Sequence, residues 1–169
     1  MTRAEMTEIF SAFMLAWPNA ETFRASSKEE LAAKLGPTIT LWTACLRDVD
    51  YWTAQKATVK LCQSCKFLPS IAEMREAVEA VNREITGEAK RAYMDARSAC
   101  MTFGAEKAYE QLPARSKKVI DAMGGMEVFA PPDKDFFAML DFESSYETFL
   151  RGNPTGLPSA RKVQKALEN

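Results

Sequence analysis

The sequence predicts an all-α fold: a compact four-helix N-terminal domain, then a long helix and a less regular helical C-terminal segment. Three observations predict it. Apolar residues recur at three- and four-residue spacing along most of the chain, the period of a helix with one buried face. Prolines, glycines and helix-capping residues punctuate these stripes at intervals of one helix length. No run alternates in the manner of a half-buried strand; Met126 to Ala130 is the only brief candidate.

The elements follow in order. Met6, Ile9, Phe10, Phe13 and Trp17 form one stripe, which predicts a helix over 2–17 that Pro18-Asn19 ends. Ser26 or Ser27 caps a second helix, with Glu29 and Glu30 in the first turn where the helix dipole favours anions. Leu31 and Leu35 face inward, and Gly36-Pro37 predicts the end of this helix. A third starts near Pro37 or Thr38 and carries Ile39, Trp42, Cys45 and Leu46 on one face. Asp50 caps a helix over 51–64 that buries Trp52, Val59 and Cys62. Lys66-Phe67-Leu68-Pro69 reads as an extended link.

Ser70 and Glu73 have the spacing of a capping box, and Ile71, Met74, Val78, Val81 and Ile85 continue as a stripe. A polar helix is expected over 87–109. Pro113 opens a short helix that Gly124-Gly125 closes. Beyond it the composition changes: residues 126–150 hold six acidic residues and one lysine, together with Phe129, Phe136, Phe137, Phe142, Tyr146 and Phe149. A basic tail with Arg151, Arg161, Lys162 and Lys165 follows. We therefore divide the chain into a helical domain over 1–85, connecting helices over 86–125 and an acidic-aromatic segment with its tail over 126–169. The division between functional pieces falls at 85–112.

Charge and residue usage narrow the function. The net charge is −1, which lacks the basic field that sequence-independent binding to nucleic acid requires, so direct contact with DNA is expected to be absent or weak. The chain has no histidine, which removes the commonest general base and the commonest metal ligand together. The seven glycines are scattered, and none builds a phosphate-cradling loop or a dinucleotide fingerprint. We expect no catalytic activity, no cofactor and no metal. No stretch approaches the roughly 18 apolar residues that span a bilayer, so no membrane association is expected. Glu5 and Glu8 interrupt what a secretory signal would keep apolar. The expected setting is a reducing cytoplasm, with the four cysteines as thiols.

Cys62-x-x-Cys65 has the spacing of half a zinc site or of a redox pair. No second pair accompanies it, which favours a packing role for small apolar side chains. Trp42, Trp52 and Phe67 have the composition of a stacking cage, but their helical spacing favours core packing. Arg115, Lys117 and Lys118 read as a solvated helix face. The acidic-aromatic segment has two readings: its apolar groups pack on the helical core, or they lie in the groove of a partner whose basic surface matches the acidic rim.

The order of these features resembles one family. Leu41-Trp42, Leu46-Arg47-Asp48-Val49-Asp50-Tyr51 and Lys66-Phe67-Leu68-Pro69-Ser70-Ile71-Ala72-Glu73-Met74-Arg75 are similar to the phage replicative helicase loader/inhibitor proteins over residues 5–85. In that scaffold Trp42, Tyr51, Trp52 and Phe67 are expected to clamp three helices, and Pro69 and Ser70 to set the entry of the next. The resemblance implies a protein that binds the hexameric replicative helicase, loads or inhibits it without hydrolysing ATP, and works with an origin-binding protein. It also implies helicase contacts in the C-terminal part, carried here to Phe136, Phe137, Leu140, Tyr146 and Phe149.

Two other classes compete. A DNA-binding replication or regulatory module would use the helix pair 38–47 and 50–64, whose second helix offers only Lys56 and Lys60 as cations. A phage accessory structural protein would use its helices to oligomerise.

Overall fold

The computed structural model describes residues 1–129 and 135–152. Among them are seven α-helices and two short 3-10 turns, with no strand, so the fold is all-α. Met126–Phe129, the one strand candidate, is a 3-10 turn. The chain divides into two compact units, Met1–Asn82 and a second that begins at Arg83.

In the first unit α1 (Arg3–Ala16) starts at a full capping box: the Glu5 amide donates to the Thr2 hydroxyl at 3.3 Å, and the Thr2 amide donates to the Glu5 carboxylate at 2.6 Å. Its stripe of Met6, Ile9, Phe10 and Phe13 is buried. The helix packs on α2 (Lys28–Cys45) and α3 (Tyr51–Ser64). The indole of Trp42 on α2 meets Phe10 edge-on at 5.3 Å and Phe13 at 5.7 Å. Phe23, on the 3-10 turn Glu21–Phe23, closes the cluster at 6.4 Å from Phe10.

The helix expected to stop at Gly36-Pro37 continues through both residues to Cys45. Proline disfavours a helical predecessor because its ring crowds that residue's amide and Cβ; Gly36 has no Cβ, so part of the penalty is absent. The Gly36 carbonyl accepts from the Thr40 hydroxyl at 2.9 Å and from Arg3 of α1 at 3.4 Å. Ile39, Trp42 and Leu46, buried beyond the proline, keep the second half of α2 on the core.

Asp50 caps α3, accepting from the Thr53 amide at 2.9 Å and its hydroxyl at 2.7 Å. Trp52 is buried, and its indole N–H has no hydrogen-bond partner among the described residues. Ser70 and Glu73 form the expected capping box, through an amide bond each way at 2.7 Å and 3.2 Å. The helix they open, α4 (Ile71–Phe103), does not stop near Gly87. The buried positions Val78, Val81, Ile85, Ala89, Ala92, Tyr93 and Ala96 stay in phase across Gly87. That burial outweighs the ~1 kcal/mol glycine costs within a helix.

Arg75 of α4 ties the N-terminal unit together. It pairs with Asp48 at 2.8 Å and donates to the carbonyl of Cys45, which the end of α2 leaves without an intrahelical partner. The guanidinium holds the Asp48 carboxyl below the usual carboxylate range.

In the second unit α4 ends at Gly104, whose φ of 75° an L side chain rarely adopts. The single polar helix expected over 87–109 is therefore interrupted, and α5 (Ala105–Gln111) restarts after it. Next come α6 (Ala114–Ala122) and α7 (Asp135–Gly152). The stop at Gly124-Gly125 forms as expected, both glycines at positive φ and the Gly125 amide bonded to the Ile120 carbonyl at 2.9 Å.

Candidate protein-binding surfaces

The acidic-aromatic segment forms one helix, and its two sides differ. Ala138, Phe142, Tyr146 and Leu150 recur every fourth residue and are buried. Phe142 lies 5.9 Å from Tyr93 of α4 and 5.7 Å from Phe129, and Tyr146 stacks on Phe142 at 5.6 Å. Tyr146 therefore belongs to the core of the second unit. Its hydroxyl, pushed up by burial and by the Glu88 carboxylate, points to Glu88 at 3.4 Å.

Of the other residues assigned to a partner, Leu140 is exposed, at 44 %. Phe149 is half-buried, with the Lys118 ammonium 5.7 Å from its ring. The side chains of Phe136 and Phe137 fall outside those described. Around Leu140, Asp141 is exposed and Glu143 half-exposed, while Glu147 accepts from Thr86 at 2.8 Å. The outer side of α7 is thus a leucine among carboxylates, suited to a basic surface with an apolar pocket.

The basic cluster on α6 is engaged within its own unit. Arg115 pairs with Glu88 at 2.8 Å, Lys117 donates to the Glu110 carbonyl at 2.9 Å, and Lys118 lies against Phe149. Cys62 and Cys65 are half-buried, and burial pushes the Cys62 thiol up, away from the reactive thiolate. Among the described residues no three of Cys, Asp and Glu gather closely enough to hold a metal. No described helix is long and apolar enough to cross a membrane.

The first unit holds a surface that sequence reasoning missed. Trp42 and Trp52 are buried as expected of clamps, but Phe67 is 74 % exposed and clamps nothing. It lies in the link between α3 and α4, where no helical period sets the direction of a side chain. With Trp17, Pro18, Leu68 and Lys66 it lines a groove of about 350 Å³ at the end of α1. Leu15, near the end of α1, is 55 % exposed.

Residues 1–75 match the family model for the N-terminal domain of the phage helicase-binding/inhibitor protein gp39 family. The matched stretch contains α1, α2, α3, the Phe67 groove and the first turn of α4, and stops well before α7. The match agrees, over these residues, with the resemblance to phage helicase loader/inhibitor proteins. No curated protein and no solved structure matches the chain.

Proposed function

We propose that this chain, with its gp39-type N-terminal domain, binds a hexameric replicative helicase and loads or inhibits it, without ATPase activity of its own. The observation that carries the proposal is the family match over residues 1–75. The chemistry of the sequence supports a binding role: it has no histidine and no phosphate-cradling glycine loop. An origin-binding protein would be a second partner, and the host cytoplasm the setting.

The helicase contact is assigned to Leu140, on the outer side of α7, with Phe149 at the edge; Phe136 and Phe137, whose side chains lie outside those described, complete the assignment. A leucine 44 % exposed among carboxylates supplies an apolar anchor with an acidic rim. Tyr146 acts from behind, holding the helix that presents Leu140. The test is co-elution of the purified chain with the purified host helicase. Complex formation, lost in a Phe136→Ala/Phe137→Ala/Leu140→Ala variant of unchanged helicity, is expected. No complex at micromolar concentrations, or capture of DNA instead, removes the helicase reading.

A further inference from the structure

The helicase contact proposed above uses the second unit and assigns no role to the groove at the end of α1. Its walls come from two places in the sequence: 16–20, where Pro18 stops α1, and 66–68, where the chain leaves α3. Phe67 stands in water at 74 % exposure, although covering a phenyl ring is favourable. Phe and Trp side chains are enriched in the buried centres of protein interfaces. Leu15 extends the apolar surface along α1.

The charge of the groove selects among occupants. Among the described residues that line it, Lys66 alone is charged, and its ammonium lies 5.6 Å from the Phe67 ring centre. Among the described residues no carboxylate lines the groove to neutralise it. An apolar anchor that brings a carboxylate beside it satisfies both the ring and the ammonium, whereas a basic segment meets a like charge.

We propose that the Trp17–Phe67 groove is a second docking site, which takes an acidic protein segment presenting a large apolar side chain next to a carboxylate. The site lies in the N-terminal unit and shares no residue with α7. The assignment does not depend on the identity of the partner of α7.

The experiment uses the isotope-labelled full chain and a synthetic peptide with Phe and Leu one helical turn apart among glutamates. Amide shifts are followed as peptide is added. Saturable shifts centred on 16–20 and 66–68 are expected, with binding weakened about tenfold when lysines replace the glutamates. Phe67→Ala should abolish the shifts. Lys66→Glu should reverse the preference toward the lysine peptide. Phe67 and Lys66 are at the surface, so both variants should keep the wild-type spectrum elsewhere. No shift at millimolar peptide, equal response to both peptides, or shifts that survive Phe67→Ala would overturn the proposal. So would the same residues shifting when free protein is diluted, because the occupant would then be a second copy.

Discussion

Tyr146 stacks on Phe142 with ring centres 5.6 Å apart and planes 28° apart, in the core of the unit that α7 completes. Four residues before Phe142 and four after Tyr146, Ala138 and Leu150 extend the same buried line. One helix thus serves two ends, a packed side that fixes it and an outer side that can meet a partner.

The two sides should separate in mutagenesis. Phe142→Ala empties a fully buried position and should cost about 3–5 kcal/mol of unfolding free energy. Leu140→Ala, at an exposed position, should change stability by under about 0.5 kcal/mol. Urea titrations followed by circular dichroism distinguish them. Equal costs would mean that α7 does not pack by the face described.

In the N-terminal unit Trp42 is the residue on which α1 and α2 agree. Trp42→Ala removes the edge-on contacts to both Phe10 and Phe13 and should cost about 3–5 kcal/mol. Phe67→Ala, in the same unit but in water, should leave the melting temperature almost unchanged. Both values come from thermal denaturation.

Much of this was legible in the sequence. Ser70 and Glu73 give a cap whose geometry depends on residues three apart, and the structure forms it. The stripe of α1 and the Gly124-Gly125 stop are equally local. Reading failed where a local rule met a tertiary force. Gly36-Pro37 signals a break, yet burial of Ile39, Trp42 and Leu46 carries α2 through it. Gly87 signals a boundary, yet the stripe from Ile85 to Ala89 keeps α4 whole. Phe67 failed for another reason: an extended link has no period, so its composition cannot say which way the ring points. Tyr146 looked the same as its aromatic neighbours in composition, and only packing distinguishes it from Leu140.

Gly104 ends α4 at a φ of 75° with open space around its Cβ position, so any cost of a side chain is backbone strain alone. Gly104→Ala should destabilise the second unit by about 1–3 kcal/mol, whereas Gly87→Ala, inside α4 and also unobstructed, should stabilise by about 0.5–1 kcal/mol. Hydrogen exchange of the α4 amides checks the two signs together.

Tyr51 donates its hydroxyl to Glu8, and burial together with that carboxylate pushes the phenol up to about 12. The folded value lies above the unfolded value near 10, so the contribution is complete below pH about 10 and is lost as pH rises toward about 12. Alkaline denaturation should show this loss, and Tyr51→Phe should remove that part of the slope. A phenol that titrates normally in the ultraviolet would contradict the contact.

The most direct test of the central claim is the mass of the complex between the full chain and the purified hexameric helicase, measured by light scattering during size exclusion. A stable complex is expected, which Phe136→Ala/Phe137→Ala/Leu140→Ala dissolves and Phe67→Ala leaves intact. A chain that elutes alone, or a complex indifferent to the α7 variant, would contradict it.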